Sequence, residues 1–268
     1  MSQMNTHPSA RSIADDLVSG ITQPQLWMYL ARQDLAKQYS RTALGALWIP
    51  LNILIHVSVL GLVFSAVLDS PKGYLAYFAL SYSIWTTLSR TLTESSVLWV
   101  SSQKYIQQFS APISLFVFKA VFKLFIIFMI SLPVGWLIAL LTGAQISWQA
   151  LWVIPGIVVY FSNIVWMVTL LSLISLRYRD IAKFMPNLLF LIYLTTPILW
   201  SVDRLGDDKL WIALFNPIYH MLSLVRDPLL GSSPSTISWI VCLSMALVGN
   251  IVALWALRTY RWKIHLWL

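Results

Sequence analysis

LFIIFMISLPVGWLIALLTGAQISWQALWVIPGIVVYFSNIVWMVTLLSLISL, residues 124–176, carries no charged side chain. A helix needs about 20 predominantly apolar residues to cross about 30 Å of hydrocarbon, so the stretch is long enough for two crossings. The polar Thr142-Gly143-Ala144-Gln145 interrupts it and predicts the connection between them. Outward from this pair, Thr42 to Leu68 is uncharged, and Gly73 to about Ser96 is broken only by Arg90 and Glu94. Phe184 to Val202 and Ile237 to Leu257 complete a predicted set of six spans.

The whole chain agrees with that reading. Of 268 residues, 58% belong to the AVILMFWYC set and 10% are charged, with a mean hydropathy of +0.73. A soluble domain carries roughly 25% charged residues. The single cysteine, Cys242, excludes an internal disulfide framework. Residues 1–25 are polar and hold no apolar core or small-residue cleavage site, so a cleaved signal peptide is not expected.

Lys and Arg concentrate in cytoplasmic loops, which sets the orientation. With both termini inside, Arg11, Arg32, Lys37, Arg41, Arg90, Lys104, Lys119, Lys123, Arg177, Arg179, Lys183, Arg258, Arg261 and Lys263 all fall on the cytoplasmic side. Only Lys72, Arg204, Lys209 and Arg226 fall outside, beside Asp69, Asp203, Asp207, Asp208 and Asp227. Topology accounts for the net charge of +8, and no nucleic-acid partner is expected.

Three segments depart from simple spans. Within Leu26–Thr42, Ala31, Leu35, Tyr39 and Thr42 share one helical face while Lys37 and Arg41 lie opposite, which predicts an amphipathic helix in the inner interface, serving as a lipid anchor or a partner-docking element. Val97–Ser114, with Gln103, Lys104 and Tyr105, predicts a short cytoplasmic helix, and Pro112 suits the first position of the next one. Just before it, Arg90 and Glu94 stand four apart, where they can pair. Leu210–Val225 is uncharged but too short to span, and Asn216-Pro217 divides it. Proline breaks helix hydrogen bonding, and irregular backbone at membrane depth must be buried by protein or line a cavity, so a re-entrant hairpin is expected. Arg226-Asp227-Pro228 then begins a turn-rich return.

No phosphate-binding loop of the form GxxxxGK(S/T) and no HExxH or paired-cysteine metal signature occurs. The only adjacent carboxylate pair, Asp207-Asp208, lies in a polar turn, so enzymatic chemistry has little support. Aromatic residues are abundant, with 14 Trp, 11 Tyr and 12 Phe. Most suit interfacial belts, whereas Tyr82, Trp85, Tyr160 and Trp166 lie near mid-span and could either pack or face a passing sugar.

These irregular segments coincide with a known pattern. Arg32-Gln33-Asp34-Leu35, then Lys37, Tyr39 and Arg41, then Leu44-Gly45-Ala46-Leu47-Trp48 form a first block, with Gln38 where the family often has arginine. Arg177-Tyr178-Arg179-Asp180 and the following Thr196-Pro197-Ile198-Leu199-Trp200 form a second. Asn216-Pro217-Ile218-Tyr219-His220, continued by Arg226-Asp227-Pro228-Leu229-Leu230-Gly231, forms a third. In this order they resemble the membrane (permease) subunit of bacterial polysaccharide ABC exporters, over about residues 26–260.

The resemblance implies an all-α, multi-pass inner-membrane protein acting as a homodimer with two copies of a separate ABC ATPase. That partner would hold ATP and Mg, leaving this chain without a cofactor, and the cargo would be an undecaprenyl-linked polysaccharide, foremost lipopolysaccharide O-antigen. It further implies that Arg32, Asp34, Lys37, Arg41, Gln103, Lys104 and Tyr105 face the ATPase, that Arg177, Arg179 and Asp180 form a cytoplasmic loop, and that the hairpin bearing Asn216, Pro217, Tyr219, His220 and Arg226 gates the periplasmic side. The expected organisation is a cytoplasmic tail (1–25), an amphipathic interfacial helix (26–42), a six-span transmembrane domain (43–260) and a cytoplasmic tail (261–268). A capsule or teichoic-acid exporter is the nearest alternative. A membrane enzyme acting on polyprenyl-linked sugars would need a convergent acid or metal site, and an ion-coupled carrier would need ionisable groups at mid-membrane and an internal repeat; the sequence offers neither.

Overall fold

A computed structural model of the chain describes residues 13–67, 73–108, 111–202 and 206–268, and every regular element among them is helical. Arg11, Asp69, Lys72, Asp203 and Arg204, used above for orientation, lie outside the described residues.

A short helix, α1 (Ile13–Ile21), precedes α2 (Pro24–Tyr39), which Pro24 starts in its first turn. The first apolar run forms α3 (Trp48–His56), a π-helical turn (Val57–Gly61) and α4 (Leu62–Val67). Then come α5 (Tyr74–Ser95), α6 (Leu98–Gln108) and α7 (Ile113–Leu141). The predicted break follows, and a 3-10 turn at Trp148–Trp152 leads into α8 (Val153–Arg177). The chain continues as α9 (Asp180–Thr195), α10 (Trp211–Leu214), α11 (Pro217–Leu229) and α12 (Thr236–Trp267).

Four helical segments among the described residues are long and apolar enough to cross a membrane: Gly45–Phe64, Ile113–Leu141, Trp148–Arg177 and Thr236–Ile264. The other two predicted spans fall short for different reasons. α5 is about 33 Å long, sufficient in length, but its sequence is rich in serine and threonine. Those hydroxyls fold back onto the helix: Ser83 donates to the Ala79 carbonyl at 2.7 Å, Thr91 to Thr87 at 2.8 Å and Thr93 to Ser89 at 2.9 Å. α9 reaches only about 24 Å because Thr196-Pro197 ends it, the residue before proline being disfavoured in helix.

α5 occupies the centre. Phe78, Ala79, Leu80, Ile84 and Leu88 are fully buried and share one apolar core with Leu124 and Phe128 of α7 and Tyr160 and Ile164 of α8. α8 and α12 approach closely: Gly249 lies against the Trp166 ring, where a methyl group would clash. Asn163 donates to the Cys242 carbonyl at 3.0 Å and Asn250 to the Ser162 carbonyl at 3.0 Å, the small-residue and polar cross-links that hold helices together in lipid.

Two boundaries differ from the sequence reading. Lys119 and Lys123, placed above on the cytoplasmic side, lie within the first turns of α7, which begins immediately after Pro112, one residue later than the sequence reading put its start. Arg226-Asp227-Pro228 is helical rather than a turn, because α11 continues to Leu229. Pro228 has no N–H to give the Leu224 carbonyl, and α8 passes directly over that oxygen at Gly156, where any side chain would collide with it.

Candidate functional site

Two polar assemblies lie at opposite ends of the bundle. At the first, α2 lays Ala31 and Leu35 against α7, with Leu35 joining Ile49 and Ile127 in a small apolar cluster. Trp27, in the apolar first turn, packs edge-on against Phe122 with centroids 5.2 Å apart. Of the face predicted for this helix, Ala31 and Leu35 are buried and Tyr39 is half-buried, whereas Thr42 is exposed beyond the helix, which ends at Tyr39 rather than at residue 42.

Charge then clamps the helix. Asp34 meets Lys119 of α7 at 2.7 Å, and Lys119, with only 7% of its side chain exposed, also donates to Ser102 of α6 at 3.3 Å. Lys37 donates to the Tyr105 hydroxyl at 3.2 Å, and that contact holds the Lys37 ammonium above its ordinary pKa. Arg90 donates to the Tyr39 hydroxyl at 3.3 Å and lies 3.8 Å from Glu94, which also pairs with Lys123 at 3.0 Å. Four helices, α2, α5, α6 and α7, are therefore tied by three neighbouring sets of polar contacts.

The residues expected to face an ATPase divide on this geometry. Arg32, Lys37, Arg41 and Lys104 are exposed. Asp34 instead turns inward to Lys119, and Gln103 donates to the Leu268 carbonyl at 3.2 Å. Tyr105 is half-buried beside Lys37. Lys119 and Ser102 were missed as members of this set; a lysine within an otherwise apolar helix was the available signal, since such an ammonium requires a partner.

Asp16 was missed as well. It lies on α1, inside a segment read as a tail, and is 6% exposed. Its two carboxylate oxygens accept from the Ile113 and Ser114 amides at 2.9 and 3.0 Å, while Ser114 donates its hydroxyl to the Asp16 carbonyl at 2.7 Å. Pro112 occupies the N-cap of α7 and has no side chain to offer those amides, so an acid from another helix caps them.

Beside this network, Arg177, Arg179 and Asp180 are all exposed between α8 and α9. Arg179 reaches the Trp267 carbonyl at 3.5 Å, and Asp180 lies 3.9 Å from Lys183 in an exposed pair.

At the opposite end, Asn216 caps α11, accepting from the Ile218 and Tyr219 amides at 2.9 and 3.3 Å and donating to Thr196 at 3.0 Å. The helix break predicted at Asn216-Pro217 is present, with α10 and α11 on either side. α11 packs mainly on α5, α8 and α12.

His220 is 1% exposed and Arg226 2% exposed. His220 Nε2 donates to the Leu214 carbonyl at 2.9 Å, leaving Nδ1 to accept from Ser238 at 2.9 Å. The Arg226 guanidinium lies 4.2 Å from the Tyr77 ring centroid, donates to the Tyr77 hydroxyl at 2.8 Å and the Pro197 carbonyl at 3.3 Å, and pairs with Asp227 at 2.8 Å. Within the chain these two residues fasten the hairpin to the bundle. Burial requires it, because an apolar environment penalises a polar side chain that has no partner. Tyr219 is half-buried, and Pro217 is exposed.

The candidate sugar-facing aromatics also divide. Tyr160 is fully buried, donating to the Ile84 carbonyl at 3.1 Å, and Trp166 is held by Asn163 at 2.9 Å and Gly249, so both belong to helix packing. Trp85 is buried next to Tyr193, centroids 5.6 Å apart. Tyr82 is half-buried and stacks on His56 of α3 at 4.8 Å. Among the described residues no three of His, Cys, Asp and Glu converge as metal ligands would.

A helical membrane bundle with apolar spanning segments, a docked helix preceding the first of them and a capped helical hairpin before the last defines a polytopic membrane subunit of the permease class. Residues 24–230, from the start of α2 to the end of α11, match the ABC-2 type transporter family, and the chain belongs to it. It is 24% identical over 204 residues to the O-antigen export system permease protein RfbA of Klebsiella pneumoniae, covering 75% of this chain and 79% of that protein. The O-antigen export system permease protein RfbA of Myxococcus xanthus is 21% identical over 202 residues, covering 74% of this chain and 77% of that one.

Proposed function

We propose that this chain is the channel-forming subunit of an ATP-driven exporter that moves undecaprenyl-linked polysaccharide, foremost O-antigen, across the bacterial inner membrane. It would work as a homodimer joined to two copies of an ABC ATPase that carries the ATP and Mg. The observation that carries this reading is the family match over residues 24–230, which spans both polar assemblies, together with relatives named as O-antigen export permeases. The cationic residues left exposed on α2, just past its end and on α6 supply the surface a motor subunit needs. Arg32, Lys37, Arg41 and Lys104 make the contact, while Asp34 and Lys119 hold α2 rigid enough to transmit it.

Six crossings with both termini cytoplasmic fit the charge distribution, with α5 as the more polar and α9 as the shorter of the two remaining spans. α5 is sheltered by α7 and α8, so its hydroxyls need not meet lipid. α9 leaves Phe184, Phe190, Leu191 and Leu194 exposed, and α3 with α4 leaves Leu54, Ile55, Val59 and Leu62 exposed. These apolar faces suit lipid or a second subunit. The α10–α11 hairpin is re-entrant and closes the outer end; Tyr219 and Pro217, rather than His220 or Arg226, are its groups nearest a passing chain.

The test is complementation. In a strain lacking its O-antigen permease, this chain expressed with its cognate ATPase should restore surface polysaccharide, and the purified chain alone should hydrolyse no ATP. Restored capsule but not O-antigen would favour the alternative cargo. ATP turnover by the isolated chain would overturn the assignment of the motor to a partner.

A further inference from the structure

A cavity of about 560 Å³ opens between the last turns of α8 and α12, beside the α2–α6 network. Leu170 and Ile174 form an apolar wall along α8, Arg177 lines the cavity at the end of that helix, and Tyr260, Lys263 and Trp267 line it from α12. The aromatics hold the cations in place. Arg177 lies 5.7 Å from the Trp267 ring centroid, Lys263 lies 5.1 Å from Tyr260 and 5.9 Å from Trp267, and the Tyr260 and Trp267 rings stack at 6.0 Å. Among the described residues neither Arg177 nor Lys263 forms an ion pair with a carboxylate.

We infer that this cavity binds the phosphate headgroup of a membrane lipid, with the first carbons of its chain against Leu170 and Ile174. Basic pockets between helices at the cytoplasmic surface recognise anionic headgroups in this manner. The apolar wall rises about 10 Å from Arg177 to Leu170, a depth that suits an amphiphile better than a free anion. α8 ends at Arg177, and a helix C-terminus repels anions, so the attraction must come from the two side chains. Assignment to the inner leaflet rests on the topology proposed above. Binding does not, so the two ideas fail separately.

Native mass spectrometry of the purified complex with its ATPase, exchanged into phosphatidylglycerol or phosphatidylcholine of equal chain length, reads the site directly. The parent should retain phosphatidylglycerol preferentially, and the double variant Arg177→Gln with Lys263→Gln should lose roughly tenfold in retention. The charge-preserving Arg177→Lys with Lys263→Arg should bind nearly as the parent does. Competition with a polyprenyl diphosphate separates the two sources of phosphate: stronger retention of that lipid identifies the cargo carrier, and stronger retention of phosphatidylglycerol identifies bulk lipid. A photoactivatable phosphatidylglycerol should also label parent peptides containing 170–178 and 260–267, a result that does not depend on any variant folding. Equal retention of both headgroups by the parent, undiminished retention by the glutamine variant, or no label in those peptides would each overturn the inference.

Discussion

The two polar ends of this bundle treat their charges in opposite ways. At the α11 end Arg226, His220 and Asn216 spend their hydrogen-bonding capacity within the chain, and the two ionisable side chains are buried. At the α2–α6 end a buried lysine and its acid form the foundation, while Arg32, Lys37, Arg41 and Lys104 stay exposed. A satisfied, buried network fixes one geometry, since breaking it strands polar groups in an apolar interior. Exposed cations contribute little to the fold and remain available to another surface. The first end reads as a closure, the second as a joint.

If the closure is as rigid as its contacts indicate, Arg226→Met will be the most damaging single change. It strands Asp227 and removes the donor to Tyr77 and Pro197, for an expected loss of about 3 kcal/mol, discounted for the partial exposure of Asp227. Denaturant unfolding in detergent measures it, and a loss below about 1 kcal/mol would place the closure elsewhere. Lys119→Met should weaken the joint by about 2 kcal/mol, because Asp34 retains some solvent once its partner is gone. The expected readout is faster proteolysis within α2, with α11 unaffected.

Asp16→Asn should cost about 1 kcal/mol, since an amide offers a single neutral oxygen to the two amides at the start of α7. Hydrogen exchange at Ile113 and Ser114 would report it. The smallest effect concerns the Lys37–Tyr105 contact. The folded-state pKa of Lys37 is raised, so its contribution is complete below the ordinary value of 10.5 and is lost only as pH climbs through the raised one. Following the Lys37 Nζ resonance should show the contact intact at neutral pH, and Tyr105→Phe should return the titration toward 10.5.

What could be read from the sequence follows from how far apart the interacting residues lie. The uncharged stretch 124–176 and its Thr142-Gly143-Ala144-Gln145 break are local signals, and α7 and α8 appear on either side of that break. Asn216-Pro217 is equally local, because proline restricts its own neighbour, and the helix starts there. Pairings across the chain left no such trace. Asp34 and Lys119 meet only after α2 docks on α7, and Asp16 caps a helix that begins nearly a hundred residues later. The burial of His220 and Arg226 left no trace for the same reason, because their partners come from Tyr77, Pro197, Leu214 and Ser238.

The joint can be tested directly by reversing its exposed charge without touching its foundation. Lys37→Glu with Arg41→Glu alters two exposed side chains, one on α2 and one just past its end, and leaves Asp34, Lys119 and the buried Ala31 and Leu35 intact. Co-purification of this variant with the cognate ATPase, beside the parent at matched membrane expression, reads the central claim. The account requires normal insertion with ATPase recovery falling to background; recovery equal to the parent would show that the motor does not engage this face.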